Sequence, residues 1–249
     1  GNPFYVELGG AYSDPGATAT DACAGAVSVM TSGTVNTSAA GTNTLTYMAD
    51  DGDGNTGFAT RSVIVRDTTP PAISWSFTNL VLAADTNCSG TMPDVTGTNF
   101  ILATDLSGAL AISQFPTNAA MLPLGTNLVV ITVADASGNM AYSTNTIVVQ
   151  DEAPPVIVLQ PQSQTNYIGT NTSLSVAATA CTPVAYQWFF QDEALDAETN
   201  SVLMFTNLQS AGAGDYYVVG TSDGGSVTSD VVSLTVLLPS NTVGSTNAN

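Results

Sequence analysis

Carboxylates carry nearly all the chemistry available to this chain. Twenty Asp and Glu residues stand against two basic ones, Arg61 and Arg66, in 249 residues, with no His, no Lys and a net charge of −18. Without imidazole there is no Ser-His-Asp or Cys-His relay and no imidazole metal site; without Lys there is no Schiff base and no phosphate-loop lysine. The residue types leave open oxygen-ligated calcium and, as the one catalytic option, a carboxylate pair of the glycosidase kind.

Three groups of acids bear on those options. The densest is Asp50-Asp51-Gly52-Asp53-Gly54-Asn55. Its alternating oxygens and glycines resemble a calcium loop, with Asp51, Asp53 and Asn55 as candidate ligands, although the Glu that closes a twelve-residue calcium loop is absent. The competing reading is turn chemistry, in which Asp and Asn bond their own backbone across a hairpin. The second group, Asp67 and Asp151-Glu152, precedes the double prolines Pro70-Pro71 and Pro154-Pro155. Carboxylates so placed can hold calcium, but the double proline alone makes a short, semi-rigid spacer, and the spacer is the preferred reading. The third group, Asp192, Glu193, Asp196 and Glu198, reads as a solvated loop. A hydrolytic pair must be held across a cleft by rigid elements, so the chain is expected not to be an enzyme and to need no cofactor, with calcium the one alternative.

The elements that position these acids repeat. Gly41 to Pro71 and Gly125 to Pro155 share one plan, since 125 − 41 and 155 − 71 both give 84 with no gap. The second copy keeps only Asp135 and Asn139 where the first has Asp51 and Asn55, which favours the turn reading. Short apolar segments alternate with turn signals throughout: Phe4 to Leu8, Ala26 to Met30, Thr44 to Ala49 and Phe58 to Val65, then Ile73 to Phe77, Leu80 to Ala84, Leu110 to Gln114, Leu128 to Ala134 and Ser143 to Val149. Such spacing predicts β-sandwiches.

Composition removes further classes. A chain 44% hydrophobic and only 9% charged reads as folded and β-favouring rather than disordered. Two basic residues cannot neutralise phosphates, so nucleic acid and anionic membrane surfaces are excluded as partners. No run approaches the ~20 apolar residues of a membrane span, so direct membrane insertion is not expected. The start, GNPFYVELGG, has neither the basic region nor the apolar stretch of a signal peptide, so secretion implies a leader that was removed or lies upstream. Cys23, Cys88 and Cys181 fall one to each predicted sandwich, so the expectation is three unpaired, half-buried thiols.

Several motifs carry family resemblance. Tyr12-Ser13-Asp14-Pro15-Gly16-Ala17-Thr18-Ala19-Thr20-Asp21, with the later Asp-x-x-Gly-Asn and Val-x-Asp-x-x-Pro-Pro, resembles the bacterial Ig-like domains that occur in tandem in surface proteins. That resemblance implies an opening Pro-Pro-x-Ile strand, present at Pro70-Pro71-Ala72-Ile73 and Pro154-Pro155-Val156-Ile157 but not before Phe4, so residues 1–69 are expected to lack their first strand. The family often carries a Cys at the place of Leu8, as partner for the one at Cys23. Asn87-Cys88-Ser89, Pro93-Asp94-Val95, Ala103-Thr104-Asp105 and Asp135-Ala136-Ser137-Gly138-Asn139 resemble the hyalin repeat, an Ig-like module associated with adhesion; Leu106-Ser107 stands where a second Cys is usual. Tyr186-Gln187-Trp188 and Asn207-Leu208-Gln209 leading to Tyr216 are similar to the intermediate-set immunoglobulin domain. This implies a core Trp188, a tyrosine corner at Tyr216, and Val176 and Val218 where the intersheet disulfide usually sits.

The expected architecture is all-β: three tandem immunoglobulin-like β-sandwiches in an elongated rod, at 1–69, 70–153 and 154–239, followed by a polar tail at 240–249. The expected role is a structural or adhesive segment of an extracellular or cell-surface protein, such as a filament or stalk subunit. Self-association head to tail would follow if the tail of one subunit completed the first sandwich of the next; the competing expectation is a piece of a longer chain, with neighbouring domains as partners and the missing strand upstream on the same polypeptide. The alternative is an ancillary carbohydrate-binding module of a secreted polysaccharide-degrading enzyme, with Trp75, Phe77 and Tyr142 as a possible sugar-binding face.

Overall fold

The computed structural model describes residues 2–239. The polar tail expected at 240–249 lies outside the described residues. The fold is all-β, with immunoglobulin-like sandwiches following one another along the sequence. The chain gathers into two compact units, one of Gly1–Asn79, Met92–Ala120 and Leu128–Thr146, the other of Leu80–Thr91, Met121–Asn127 and the chain from Ile147 onward. Among the described residues no helix is long and apolar enough to cross a membrane.

The first unit opens with β1 (Phe4–Glu7), β2 (Ala19–Asp21), β3 (Gly25–Val27), β4 (Val29–Ser32), β5 (Gly41–Asp50) and β6 (Thr56–Arg66). Four of these form a sheet in the order β1-β6-β5-β4, while β2 pairs with β3 in a separate ribbon. Strand β1 runs parallel to β6, and the Leu8 N–H extends that ladder to the Arg66 carbonyl at 2.9 Å. Alternation selects the buried face, placing Leu45 and Tyr47 of β5 and Val63 and Val65 of β6 in the core. The loop from Gly9 to Thr18 is tied to this sheet by Arg61 and Tyr47. The Arg61 guanidinium pairs with Asp14 and donates to the Gly16 carbonyl at 3.1 Å, while the Tyr47 hydroxyl donates to Asp14 at 2.6 Å.

Next come β7 (Ala72–Ser76), β8 (Asn79–Ala83), β9 (Ser89–Thr91), β10 (Ile101–Thr104), β11 (Ala111–Phe115), β12 (Met121–Pro123), β13 (Gly125–Ala134) and β14 (Met140–Gln150). In the first unit β7 pairs with β10, and β11 pairs antiparallel with β13. In the second unit β9 pairs with β12, and the Ala84 N–H meets the Gln150 carbonyl at 2.7 Å. The repeat seen in the sequence is repeated strand for strand: β5 and β13, and β6 and β14, have the same bounds after a shift of 84 residues. Their cores match as well, with Val129, Ile131 and Val133 alternating inward on β13.

The second unit also holds β15 (Val156–Leu159), β16 (Gln164–Tyr167), β17 (Thr172–Ser175), β18 (Ala177–Thr179), β19 (Ala185–Phe190), β20 (Glu193–Ala194), β21 (Val202–Phe205), β22 (Gly214–Ser222), β23 (Gly225–Thr228) and β24 (Val232–Leu237). The main sheet runs β16-β24-β22-β19-β20, with β23 also on β22, and the facing ribbon is β17-β21. Its core is Leu174, Val176, Trp188, Leu203, Leu208, Tyr216, Val218, Val232 and Leu234. Trp188 is fully buried and spends its indole N–H on the Asn200 carbonyl at 2.9 Å; the Tyr216 hydroxyl closes the corner onto the Gly212 carbonyl at 2.8 Å. Val176 and Val218 are both in this core, which is thus packed by apolar side chains where the family places a disulfide.

Candidate functional site

Two hairpins with the same internal wiring define the acid chemistry of the first unit. Between β5 and β6, Asp51 accepts the N–H groups of Asp53 and Asn55 on Oδ1, at 2.9 and 3.0 Å, and the Asn55 side-chain amide on Oδ2 at 2.6 Å. Between β13 and β14, Asp135 accepts Ser137 and Asn139 N–H groups on Oδ1, at 2.8 and 2.9 Å, and the Asn139 amide on Oδ2 at 2.7 Å. Both hairpins turn through a left-handed glycine at the matching position, Gly54 and Gly138 at φ of 95° and 90°, and the first has a second at Gly52. These bonds hold Asp51 below the usual carboxylate range, chiefly through Asn55. Of the residues read as calcium ligands, Asp51 and Asn55 are bonded to each other across the turn, and Asp53 contributes its backbone N–H to the same carboxylate.

Asp135 does more than close its hairpin. Carboxylate oxygens of Asp67, Asp105 and Asp135 lie within 4.8 Å of one another. Asp67 and Asp135 are buried, at 8% and 7% exposure, and Asp105 is half-buried. Each reaches the cluster from a different element: Asp67 from the linker after β6, Asp105 from the end of β10, and Asp135 from the β13–β14 turn. A cleft of about 370 Å³ opens beside them, its lining including Asp67, Thr69, Asp105 and Leu106.

The linker is fixed before it delivers Asp67. Glu7 accepts the Thr68 N–H and hydroxyl at 2.7 and 2.6 Å and the Thr69 hydroxyl at 3.0 Å, bonds that pull its carboxyl down to about 2. Asp67 Oδ1 accepts the Thr69 N–H at 3.1 Å, and its main-chain carbonyl accepts the Asn139 amide at 3.3 Å. Its Oδ2, however, is buried with no hydrogen-bond partner. The nearby Ser107 hydroxyl is already committed to Asp105 Oδ1 at 2.6 Å. Burial, together with the Asp105 and Asp135 carboxylates, pushes the Asp67 carboxyl up. Burial also raises Asp135, but its bonds from Asn139, Ser137 and Gly138 prevail and leave it below the usual range.

The linker after β14, in the second unit, provides an internal comparison. Asp151 occupies the position of Asp67 shifted by 84, and its Oδ1 accepts the Ala153 N–H at 3.3 Å, as Asp67 accepts Thr69. Here Oδ2 is satisfied, since the Thr182 N–H and hydroxyl both reach it at 3.2 Å. The Thr182 oxygen in turn accepts the Asp223 N–H at 3.0 Å. A covalent bond ties the same region. Cys88 and Cys181, 93 residues apart with Cα atoms 5.1 Å from each other, form a disulfide. The expectation of three unpaired, half-buried thiols is therefore corrected: two are bonded, and Cys23 is free and exposed. Counting cysteines per sandwich excludes pairs within a sandwich but not a bond formed across a linker.

The remaining candidates lie apart from this chemistry. Gln191 and Asp192 form a tight turn at positive φ between β19 and β20, and Glu193 is exposed. Trp75 and Tyr142 are exposed at 48% and 63%, whereas Phe77 is buried against Phe100. Asp105 was visible in the sequence only as part of a motif. The 84-residue shift could have found it, because Ala103-Thr104-Asp105 lies over Ala19-Thr20-Asp21 as Asp135 lies over Asp51. Asp21 and Asp51 line one cleft of about 260 Å³, so the acid pair itself is duplicated.

Similar sequences and folds occur among known proteins. Over 138 residues the chain is 33% identical to hyalin of Strongylocentrotus purpuratus, covering 53% of this chain and 11% of hyalin. Over 87 residues it is 36% identical to cartilage intermediate layer protein 1 of Mus musculus, covering 33% of this chain and 7% of that protein. The chain thus spans about a tenth of the length of these relatives. Among solved structures, an I-band fragment of titin matches with a TM-score of 0.48 and 16% identity, over 80% of this chain and 75% of the fragment. Immunoglobulin domains 1–4 of Sidekick-1 match with a TM-score of 0.46 and 15% identity, over 78% and 58%. Residues 1–65 match the family model described as the bacterial surface protein, Ig-like domain.

Proposed function

We propose that the chain is a non-catalytic, load-bearing or adhesive segment of an extracellular protein, made of sandwiches at 1–69, 70–153 and 154–239. The observation that carries this reading is the fastening of both linkers. In the first unit Asp67, Thr68 and Thr69 are each hydrogen-bonded, to Glu7, Asn139 or one another. In the second, Asp151 is bonded to Thr182, and the Cys88–Cys181 disulfide spans the same stretch of sequence. Chains that only present separate modules need no such ties, and a disulfide suits an oxidising compartment.

Head-to-tail assembly extends the proposal. Strand β10 pairs with β7, but its counterpart β2 pairs only with β3 among the described residues. An open strand edge accepts a further strand, and a neighbouring subunit is one source. Light scattering and electron microscopy of the full chain and of one lacking residues 240–249 test this. Fibres that need the tail support it, and a monomer at every concentration refutes the filament reading. The exposed Trp75 and Tyr142 favour a second reading, carbohydrate binding. Retention on polysaccharide gels that disappears in Trp75→Ala would establish it, and migration indifferent to polysaccharide would remove it.

A further inference from the structure

We propose that Asp67, Asp105 and Asp135 form a calcium-binding site. Three acids brought from three elements to within 4.8 Å have no basic side chain to neutralise them, since Arg66 lies over the Tyr5 ring and Arg61 is paired with Asp14. An acidic cluster alone would be a solvated patch, but this one is mostly buried. One oxygen of Asp67, Oδ2, is buried without a hydrogen-bond partner, the nearby Ser107 hydroxyl being bonded to Asp105, and an unpartnered buried carboxylate oxygen is costly. The second linker shows what a closed version looks like: the equivalent oxygen of Asp151 takes two bonds from Thr182. In the first linker the receiving position is another acid, so a cation does there what the threonine does in the second.

Ligand chemistry selects the ion. The donors are all carboxylate oxygens, which suit hard cations better than zinc or copper, whose protein sites are built mainly on nitrogen and sulfur. Three carboxylates with water completing the shell suit calcium, which takes 6–8 oxygens in irregular geometry, better than magnesium with its strict octahedron. The adjoining cleft of about 370 Å³ admits both the ion and its waters. The duplicated pair Asp21 and Asp51 has no third acid among the described residues, so one ion per chain is expected. The site is independent of whether the chain assembles into fibres.

The test is titration of the full chain with CaCl2 at 0.15 M NaCl, by calorimetry and by thermal unfolding, beside Asp67→Asn, Asp105→Asn and Asp51→Asn. Each Asn keeps the Oδ1 acceptor that its turn requires. One calcium should bind with a Kd of about 0.1–1 mM and raise Tm by roughly 5 °C or more at 10 mM CaCl2. Asp67→Asn and Asp105→Asn should weaken binding at least tenfold, and in EDTA melt at or above the parent, because they relieve carboxylate repulsion. Asp51→Asn should bind as the parent does. The proposal is overturned by no response up to 10 mM CaCl2, by an equal response to MgCl2, by lower melting of Asp67→Asn in EDTA, or by loss of binding in Asp51→Asn alone.

Discussion

Breaking the Cys88–Cys181 bond tests whether the second unit is held by covalent constraint or by packing alone. The loop that it closes spans 93 residues. In the chain-entropy account, releasing a loop of that length lowers stability by about 4.6 kcal/mol if every residue in it unfolds together. If only the chain beyond the linker unfolds, the loop runs from Ala153 to Cys181, about 28 residues, and the loss is about 3.6 kcal/mol. Urea unfolding of a Trp75→Phe parent, with and without reductant, measures the difference, because the fully buried Trp188 then reports the core around it. Thiol counting supplies the control: the native chain should expose one reactive thiol, Cys23, and the reduced, unfolded chain three. Three reactive thiols in the native, non-reduced protein would refute the bond. A stability loss below about 1 kcal/mol on reduction would refute the constraint argument even with the bond present.

Three further outcomes follow from individual contacts. Tyr216→Phe removes the hydroxyl that bonds the Gly212 carbonyl and should cost about 1 kcal/mol in urea unfolding, with the ring packing unchanged. Gly224→Ala would place a methyl against the backbone of Ala153; as only the added carbon clashes, a loss of about 1–3 kcal/mol is expected from the same assay. Glu7 is held at about 2, below its unfolded value of 4.5, so the stability it contributes is complete above 4.5 and disappears as pH falls towards 2. Glu7→Gln should accordingly flatten the acid limb of stability against pH. Asp67, raised by burial and its acidic neighbours, has the opposite sign: its contribution is present below 3.8 and is lost as pH rises through its folded value.

What could be read from the sequence was whatever the chain states locally. The gapless repeat from Gly41 predicted the hairpins, and the strands Gly41–Asp50 and Thr56–Arg66 reappear after 84 residues with identical bounds. Trp188 and Tyr216 were found because alternation and motif spacing both place them inward. Strands β2 and β10 were missed, being three and four residues long and partly made of Ala and Thr, too little for a period of two to register. Asp67 was named as a linker acid able to hold calcium, but its clustering with Asp105 and Asp135 was missed for another reason. Asp51, Asp53 and Asn55 are adjacent in sequence and so drew attention, yet adjacency in a turn leads them to satisfy one another. Asp67, Asp105 and Asp135 are separated by tens of residues and meet only when the linker is docked.

The two linkers show why one sequence pattern need not have one chemistry. Each begins with an Asp whose Oδ1 caps the second residue after it, to Thr69 at 3.1 Å and to Ala153 at 3.3 Å, so the local turn is the same. The difference lies in what receives Oδ2. Thr182 offers an N–H and a hydroxyl, and a neutral donor completes the second linker without any ion. Asp105 offers only another carboxylate, and Asp135, which accepts from Ser137 and Asn139, likewise has no hydrogen to donate. The second linker is therefore closed without calcium and reinforced by the disulfide, whereas on the proposed site the first is completed by a counterion. Extracellular calcium near the expected Kd would leave such a linker partly occupied, which makes its stiffness a property of the medium as well as of the chain.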